Sequence, residues 1–113
     1  LGLRHDPAFG PVLMVGLGGI FVEVVRDVVF AQAPLSWDDA KLMFDQLIGK
    51  AVLDGVRGQP PVDKRALIDT LCALSDFAVE NPDVVELDLN PVFAGPDGTL
   101  AVDWLMMSTN GGR

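Results

Sequence analysis

The sequence predicts an α+β domain: a largely antiparallel sheet with two helices packed on it. Three observations predict it. Val85, Leu87 and Leu89 alternate with Glu86, Asp88 and Asn90, and beyond the turn formers Gly95-Pro96-Asp97-Gly98 the alternation returns as Leu100, Val102 and Trp104 against Ala101, Asp103 and Leu105. Period-2 alternation on both sides of a tight turn describes a half-buried hairpin. Two central segments, opened by Ser36 and by Asp63, carry apolar residues at 3–4 spacing. Near the start, Asp6-Pro7-Ala8-Phe9-Gly10-Pro11 sets a cluster of turn formers between apolar stretches. Strands, then helices, then a hairpin is the order of an α+β layer pair.

In chain order, a strand is expected from Leu1 to His5, a turn, and a second strand from Val12 to Val15. Gly16-Leu17-Gly18-Gly19 follows, then a strand at Ile20–Val25 and another over Val24–Ala33, whose Val and Phe content favours extended backbone and which Pro34 ends. Ser36 caps a helix with Asp38 and Asp39 in its first turn, where acids favour the helix dipole. Ala40, Met43, Phe44, Leu47 and Ile48 form its buried stripe and Gly49 its stop. Residues 50–62 read as loop. Asp63 caps a longer helix with Leu67, Leu71, Leu74 and Ala78 inward, ended by Asn81-Pro82. No internal repeat is visible.

At 113 residues the chain has the length of one domain or part of one. Half of it is hydrophobic, which excludes a wholly disordered chain. Sixteen acidic against 8 basic residues give a net charge of -8, which repels a phosphate backbone and argues against nucleic acid as a partner. The one cysteine, Cys72, excludes an internal disulfide and fits a reducing, cytoplasmic setting; in its apolar helical surroundings it is expected to be a buried, inert thiol. The longest apolar run, Val12 to Val22, is far short of the roughly 20 residues of a membrane span. The opening shows no signal-peptide pattern. A start other than Met and the ending Ser108-Thr109-Asn110-Gly111-Gly112-Arg113 are expected of a piece of a longer polypeptide, with a domain over 1–106 and a flexible tail over 107–113.

The chemistry concentrates in the last hairpin. A loop at Pro96-Asp97, or over Gly95 to Gly98, sets Asn90 opposite Asp103. Directly opposed residues share a face with Cβ atoms about 4.5–5.5 Å apart. An amide oxygen and a carboxylate at that distance can hold one hard cation, and magnesium takes oxygen ligands while leaving positions to water and phosphates. Asp88 and Glu86 follow on the same face. Spacing alone also fits an ordinary solvated strand face. Gly16-Leu17-Gly18-Gly19 lacks the lysine and spacing of a Walker loop, so it reads as a tight backbone approach or a phosphate cradle. Glu23 reads as an active-site acid or a solvated strand end, and Arg57 as a surface arginine or an anion ligand.

Glu86-Leu87-Asp88-Leu89-Asn90-Pro91 with Ala101-Val102-Asp103 resembles the metal-binding hairpin of ATP-grasp enzymes. Asp6-Pro7-Ala8-Phe9-Gly10-Pro11, Gly16 to Val24, Ala33-Pro34-Leu35-Ser36 and Gly55 to Asp63 appear in order. Together they are similar to the ATP-grasp part of ADP-forming (NDP-forming) acyl-CoA synthetases, relatives of the succinyl-CoA synthetase β-subunit, over about residues 3 to 105. The resemblance implies the C-terminal subdomain of the ATP-grasp fold in an acid–CoA ligase. Such enzymes interconvert acyl-CoA, ADP and phosphate with a free acid, CoA and ATP through an acyl phosphate and a phosphohistidine. The ATP-grasp part holds ATP or ADP and Mg²⁺, because phosphoryl transfer is mostly positioning and charge neutralisation.

By the same resemblance Asn90 and Asp103 are metal ligands, Asp88 a supporting acceptor, Arg57 a catalytic group facing phosphate or carboxylate, and Gly18, Gly19 and Glu23 the rim of the nucleotide pocket. His5 is not the phosphorylated histidine, since the family's phosphohistidines lie outside the matched segment. Two departures stand out. The family commonly has arginine where this chain has Ala31, and the lobe that supplies phosphate-gripping basic residues normally precedes the matched segment. The partners implied are nucleotide and the remaining domains or subunits, the CoA-binding part and the first ATP-grasp lobe. The 113 residues alone are expected to be inactive and to dimerise through the face that lobe would cover. No nucleic-acid or membrane partner is expected. Two further readings stay open: a synthetase-like regulatory module of a protein acetyltransferase, and a non-catalytic α+β interaction module.

Overall fold

Asp6 and Gly10 build the first turn. The Asp6 Oδ1 accepts hydrogen bonds from the amides of Ala8 (2.8 Å) and Phe9 (3.1 Å), and Gly10 sits at φ 73°, a conformation that a residue without Cβ adopts cheaply. The computed structural model describes residues 1–16, 28–48, 63–89, 92–95, 98–101 and 104–108. The expected strand at Ile20–Val25, the first part of Val24–Ala33, the loop 50–62 and the stop at Gly49 lie wholly or partly outside them.

On either side of that turn run β1 (Gly2–Asp6) and β2 (Gly10–Gly16). β3 (Val28–Gln32), the helices α1 (Trp37–Asp45) and α2 (Lys64–Glu80), and strands β4 (Val84–Leu89), β5 (Val92–Gly95), β6 (Gly98–Ala101) and β7 (Trp104–Ser108) follow. Five strands form one sheet in the order β3-β2-β1-β4-β7, every pair antiparallel. β5 and β6 make a separate two-stranded ladder at the hairpin tip. The predicted α+β class, an antiparallel sheet with two helices, is the observed one.

The register lines residues up in rows across the sheet. Ala31, Leu13, Leu3, Leu87 and Met106 form one row facing the helices. Leu3 and Leu13 are buried, and with Val15 and Val84 they meet Ala40, Met43, Phe44 and Leu47 from the first helical segment and Leu67, Ile68, Leu71, Leu74 and Ala78 from α2 in one core. Removal of this apolar surface from water is the main term holding helices to sheet.

α1 starts with a full capping box: the Ser36 hydroxyl accepts from the Asp39 amide (3.0 Å) and the Asp39 carboxylate accepts from the Ser36 amide (3.1 Å). It ends sooner than expected, at Asp45. The Leu47 amide bonds the Phe44 carbonyl (3.2 Å), three residues back, which tightens the chain out of the α-helical phase. Leu47 stays buried, whereas Ile48, expected in the same stripe, is 76% exposed.

α2 keeps its expected cap, the Asp63 carboxylate accepting from the Ala66 amide (3.0 Å), and its expected end at Asn81. Its inner face also holds Ile68 and Ser75, both absent from the expected stripe. Ser75 is fully buried, and its hydroxyl accepts the Leu35 amide (2.8 Å), which fastens the chain before α1 to α2. An unmet buried amide would cost about 1–3 kcal/mol, so a serine here serves better than an aliphatic residue.

Three other expectations are corrected. Val84 is buried and Val85 is exposed, because a β-bulge between Val84 and Glu86 adds a residue and re-aims the start of β4. β7 runs on to Ser108, so Met107 and Ser108, expected in the tail, pair with Glu86 and Val84. Cys72 is half-buried rather than buried; burial, then the carboxylates of Asp69 and Asp76, push its thiol upward, so it stays protonated near neutral pH. No helix among the described residues is long and apolar enough to cross a membrane.

Candidate functional site

Among the described residues, the helices cover one side of the sheet and two rows lie on the other. One runs Phe30, Met14, Gly2, Asp88, Leu105 and the next Gln32, Val12, Arg4, Glu86, Met107. Alternation dictates this placement: Leu3 and Leu13 point into the core, so Gly2, Arg4, Val12 and Met14 must point away from it. A shallow depression of about 360 Å³ lies on this open face, with Arg4, Met14, Phe30, Glu86 and Asp88 among its lining residues.

The depression combines an apolar flank with charged groups. Phe30 is 64% exposed and lies beside Met14 on β2. Arg4 and Glu86 stand directly opposite one another on β1 and β4. Asp88 is half-buried and its carboxylate makes no hydrogen bond or ion pair with the described residues. Two carboxylates two residues apart on one strand face repel unless solvated or countered by a cation, which gives this face affinity for positive charge.

The hairpin beyond carries the expected register. In the main sheet Asp88 pairs with Leu105 and Leu89 with Trp104. At the tip Val92 pairs with Ala101, Phe93 with Leu100 and Gly95 with Gly98. Val92 is three residues beyond Leu89 and Ala101 three before Trp104, so the two ladders share one offset. Asn90 and Asp103 fall in the interval between them and outside the described residues, as do Gly18, Gly19, Glu23 and Arg57. Of the expected site residues, Asp88 is the one the structure describes, and it sits on the open face. Among the described residues no cluster of three or more His, Cys, Asp or Glu is arranged to hold a metal ion.

Two further residues named from the sequence, His5 and Ala31, take structural positions. The His5 Nδ1 donates to the Val84 carbonyl and braces β1 against the start of β4. Ala31 stands beside buried Leu13 in the helix-facing row, so a side chain there starts out away from the open face. The departure from arginine at this position therefore takes no charge directly off that face. Arg4, Met14, Phe30 and Gly2 were not singled out from sequence. The usable signal was the alternation around Leu3 and Leu13, which fixes their side of the sheet once the pairing is known.

Comparison with known proteins places this fold. The ATP-grasp domain model matches residues 1–107, and the chain belongs to the ATP-grasp family. Within it, the chain is 43% identical over 107 residues to the β subunit of acetate–CoA ligase [ADP-forming] I of Pyrococcus furiosus, covering 95% of this chain and 46% of that subunit. It is 39% identical over 98 residues to 4-hydroxybutyrate–CoA ligase [ADP-forming] of Nitrosopumilus maritimus, covering 87% of this chain and 14% of that protein. A solved structure of the acetyl-coenzyme A synthetase 1 of Candidatus Korarchaeum cryptofilum, in complex with coenzyme A and Mg-AMPPCP, superposes with a TM-score of 0.89 at 47% identity, covering 95% of this chain and 50% of that one. The chain thus spans less than half the length of the curated relatives it matches.

Proposed function

We propose that this chain is the metal- and nucleotide-holding part of an ADP-forming acyl-CoA synthetase, which converts acyl-CoA, ADP and phosphate into a carboxylic acid, CoA and ATP. The single observation that carries the reading is the unbroken offset between the β4–β7 and β5–β6 ladders. The reading takes that offset to continue through the interval, which would put Asn90 opposite Asp103 and both on the side of Asp88. The donor set fits magnesium. It consists of an amide oxygen and carboxylates, all hard oxygen donors; among the described residues the Asp88 carboxylate accepts no hydrogen bond and has the Leu1 ammonium as an electrostatic partner, as a carboxylate that attracts cations would.

Asn90 and Asp103 would hold Mg²⁺, which would supply charge neutralisation for the nucleotide phosphates, and Asp88 would serve beside them as a supporting acceptor. Gly18, Gly19 and Glu23 form the rim of the nucleotide pocket, and Arg57 faces phosphate or carboxylate. The first lobe and the CoA-binding part come from other domains or subunits, in a cytoplasmic enzyme. The identity of the acid is set outside this segment: acetate and 4-hydroxybutyrate ligases resemble the chain at similar identity.

The synthetase that carries this chain is assayed for ATP formation with a panel of short acyl-CoAs, ADP and phosphate. ATP should appear with at least one of them and vanish when EDTA removes the magnesium; the 113 residues alone should form none. Failure to form ATP from any acyl-CoA by the assembled protein would contradict the reading.

A further inference from the structure

β7 lies at one edge of the five-stranded sheet, and among the described residues no strand pairs with its outer side. Hydrogen bonds two strands away fix which of its backbone groups face outward. The Leu89 amide donates to the Leu1 carbonyl (2.8 Å) and the Leu1 ammonium donates to the Leu89 carbonyl (3.1 Å). Bonded and non-bonded pairs alternate along an antiparallel ladder, so Leu87 and Leu89 turn their backbone groups toward β1, and Asp88 turns its own toward β7. Asp88 pairs with Leu105, whose N–H and C=O therefore face β4. One residue on, the N–H and C=O of Met106 face the outer edge. Sheets in water guard such an edge with charge, proline or a bulge in the edge strand. Trp104-Leu105-Met106-Met107-Ser108 has no charge and no proline, and the bulge between Val84 and Glu86 lies in β4. Leu105, Met106 and Met107, three large apolar residues in succession, are all exposed, whereas the opposite edge strand β3 exposes one, Phe30.

We propose that β7 is a self-pairing edge: two copies of this chain join antiparallel through it about a two-fold axis at Met106, so that their two sheets become one. A second copy is the partner because the strand is complementary to itself, as an isologous contact requires. In this register Met106 meets its own counterpart, and the two exchange amide and carbonyl hydrogen bonds in both directions. Leu105 falls opposite Met107 of the second copy, and the pair repeats across the axis, which gathers four apolar side chains on the open face. No charged group on either strand opposes the contact. The nearest carboxylates on that face, Asp88 and Glu86, stand one strand behind, beside Leu105 and Met107. They repel across the axis at longer range, so added salt tightens the contact. The surface is the edge of the sheet, not the open face that the sequence led us to expect. The inference is independent of the metal site, and either can fail alone.

The test places single cysteines in the protein that carries this chain and follows disulfide-linked dimers of the chain after mild oxidation. Met106→Cys should cross-link, because bonded antiparallel partners have Cα atoms about 5.5 Å apart, within disulfide reach. Leu105→Cys or Met107→Cys alone should not. Each lies two residues along from the position opposite it, beyond the roughly 7 Å limit to its own counterpart. Produced together, these two variants should cross-link with one another. The native chain, whose one cysteine is Cys72 on α2, should give no dimer. Adding Met106→Lys to the Leu105→Cys and Met107→Cys mixture sets two ammonium groups face to face at the axis. The cross-linked fraction should then fall more than about tenfold. Absence of Met106→Cys dimers, equal cross-linking by all three cysteines, or a mixture that Met106→Lys leaves unchanged would each overturn the inference.

Discussion

Asp103→Ala in the assembled synthetase is expected to lower the rate of ATP formation on the order of 10²–10³-fold, the range seen when one preorganised charge-stabilising group is removed from a dry site. The loss should fall on nucleotide-dependent steps. The magnesium concentration needed for half-maximal rate should rise, and the KM for acyl-CoA should not change if, as proposed, CoA is held by other parts of the enzyme. Asn90→Ala should cost less, since a neutral amide contributes an oxygen but no charge. The double variant should be little worse than Asp103→Ala alone, as groups that grip one ion act as a unit. Initial rates across a magnesium series measure all of this. A loss smaller than about fivefold in Asp103→Ala would mean that the carboxylate is an ordinary solvated group of the strand.

Leu71→Ala should produce the largest change in stability. Leu71 is fully buried on α2, which packs against β1 and β2. Truncation removes three carbons from water-excluded contact and leaves a cavity, at a cost of about 2–5 kcal/mol. Single domains are stable by only about 5–15 kcal/mol, so the change takes a large share. At roughly 4–8 °C per kcal/mol for a domain near this size, the melting temperature should fall by about 10 °C or more. Leu42→Ala on the same helical layer, at a residue 54% exposed, should change stability by no more than about 0.5 kcal/mol. Thermal and urea unfolding of the two variants separate these outcomes. Equal effects would mean that α2 does not seal the core as described.

Much of this fold could be read in the sequence because its devices are local. Ser36 with Asp39, Asp63 with Ala66, and Asp6 with Gly10 each fix an end or a turn within a few residues. The hairpin register could be read from the positions of Gly95 and Gly98, and the observed ladders keep it. What escaped was set by distant contacts or by a single inserted residue. The bulge that exchanges Val84 for Val85 leaves no mark in an alternating pattern. Ser75 looks like a polar interruption until Leu35 is brought beside it. α1 stops at Asp45 although Ile48 keeps the period, because a short hydrogen bond at Leu47 changes the phase. For the site, the acidic face of the hairpin was evident from Glu86 and Asp88. Its neighbours Gly2, Arg4, Met14 and Phe30 come from three other strands, and only the pairing of those strands assembles them.

A magnesium titration of the isotope-labelled 113-residue chain, followed through its backbone amide resonances, tests joint coordination by Asn90 and Asp103 most directly. The expected result is a saturable shift in which residues 88–92 and 101–105 move together with one dissociation constant, abolished in Asp103→Ala. Shifts confined to one strand, or a weak non-saturating drift spread over all the exposed acidic side chains, would contradict it.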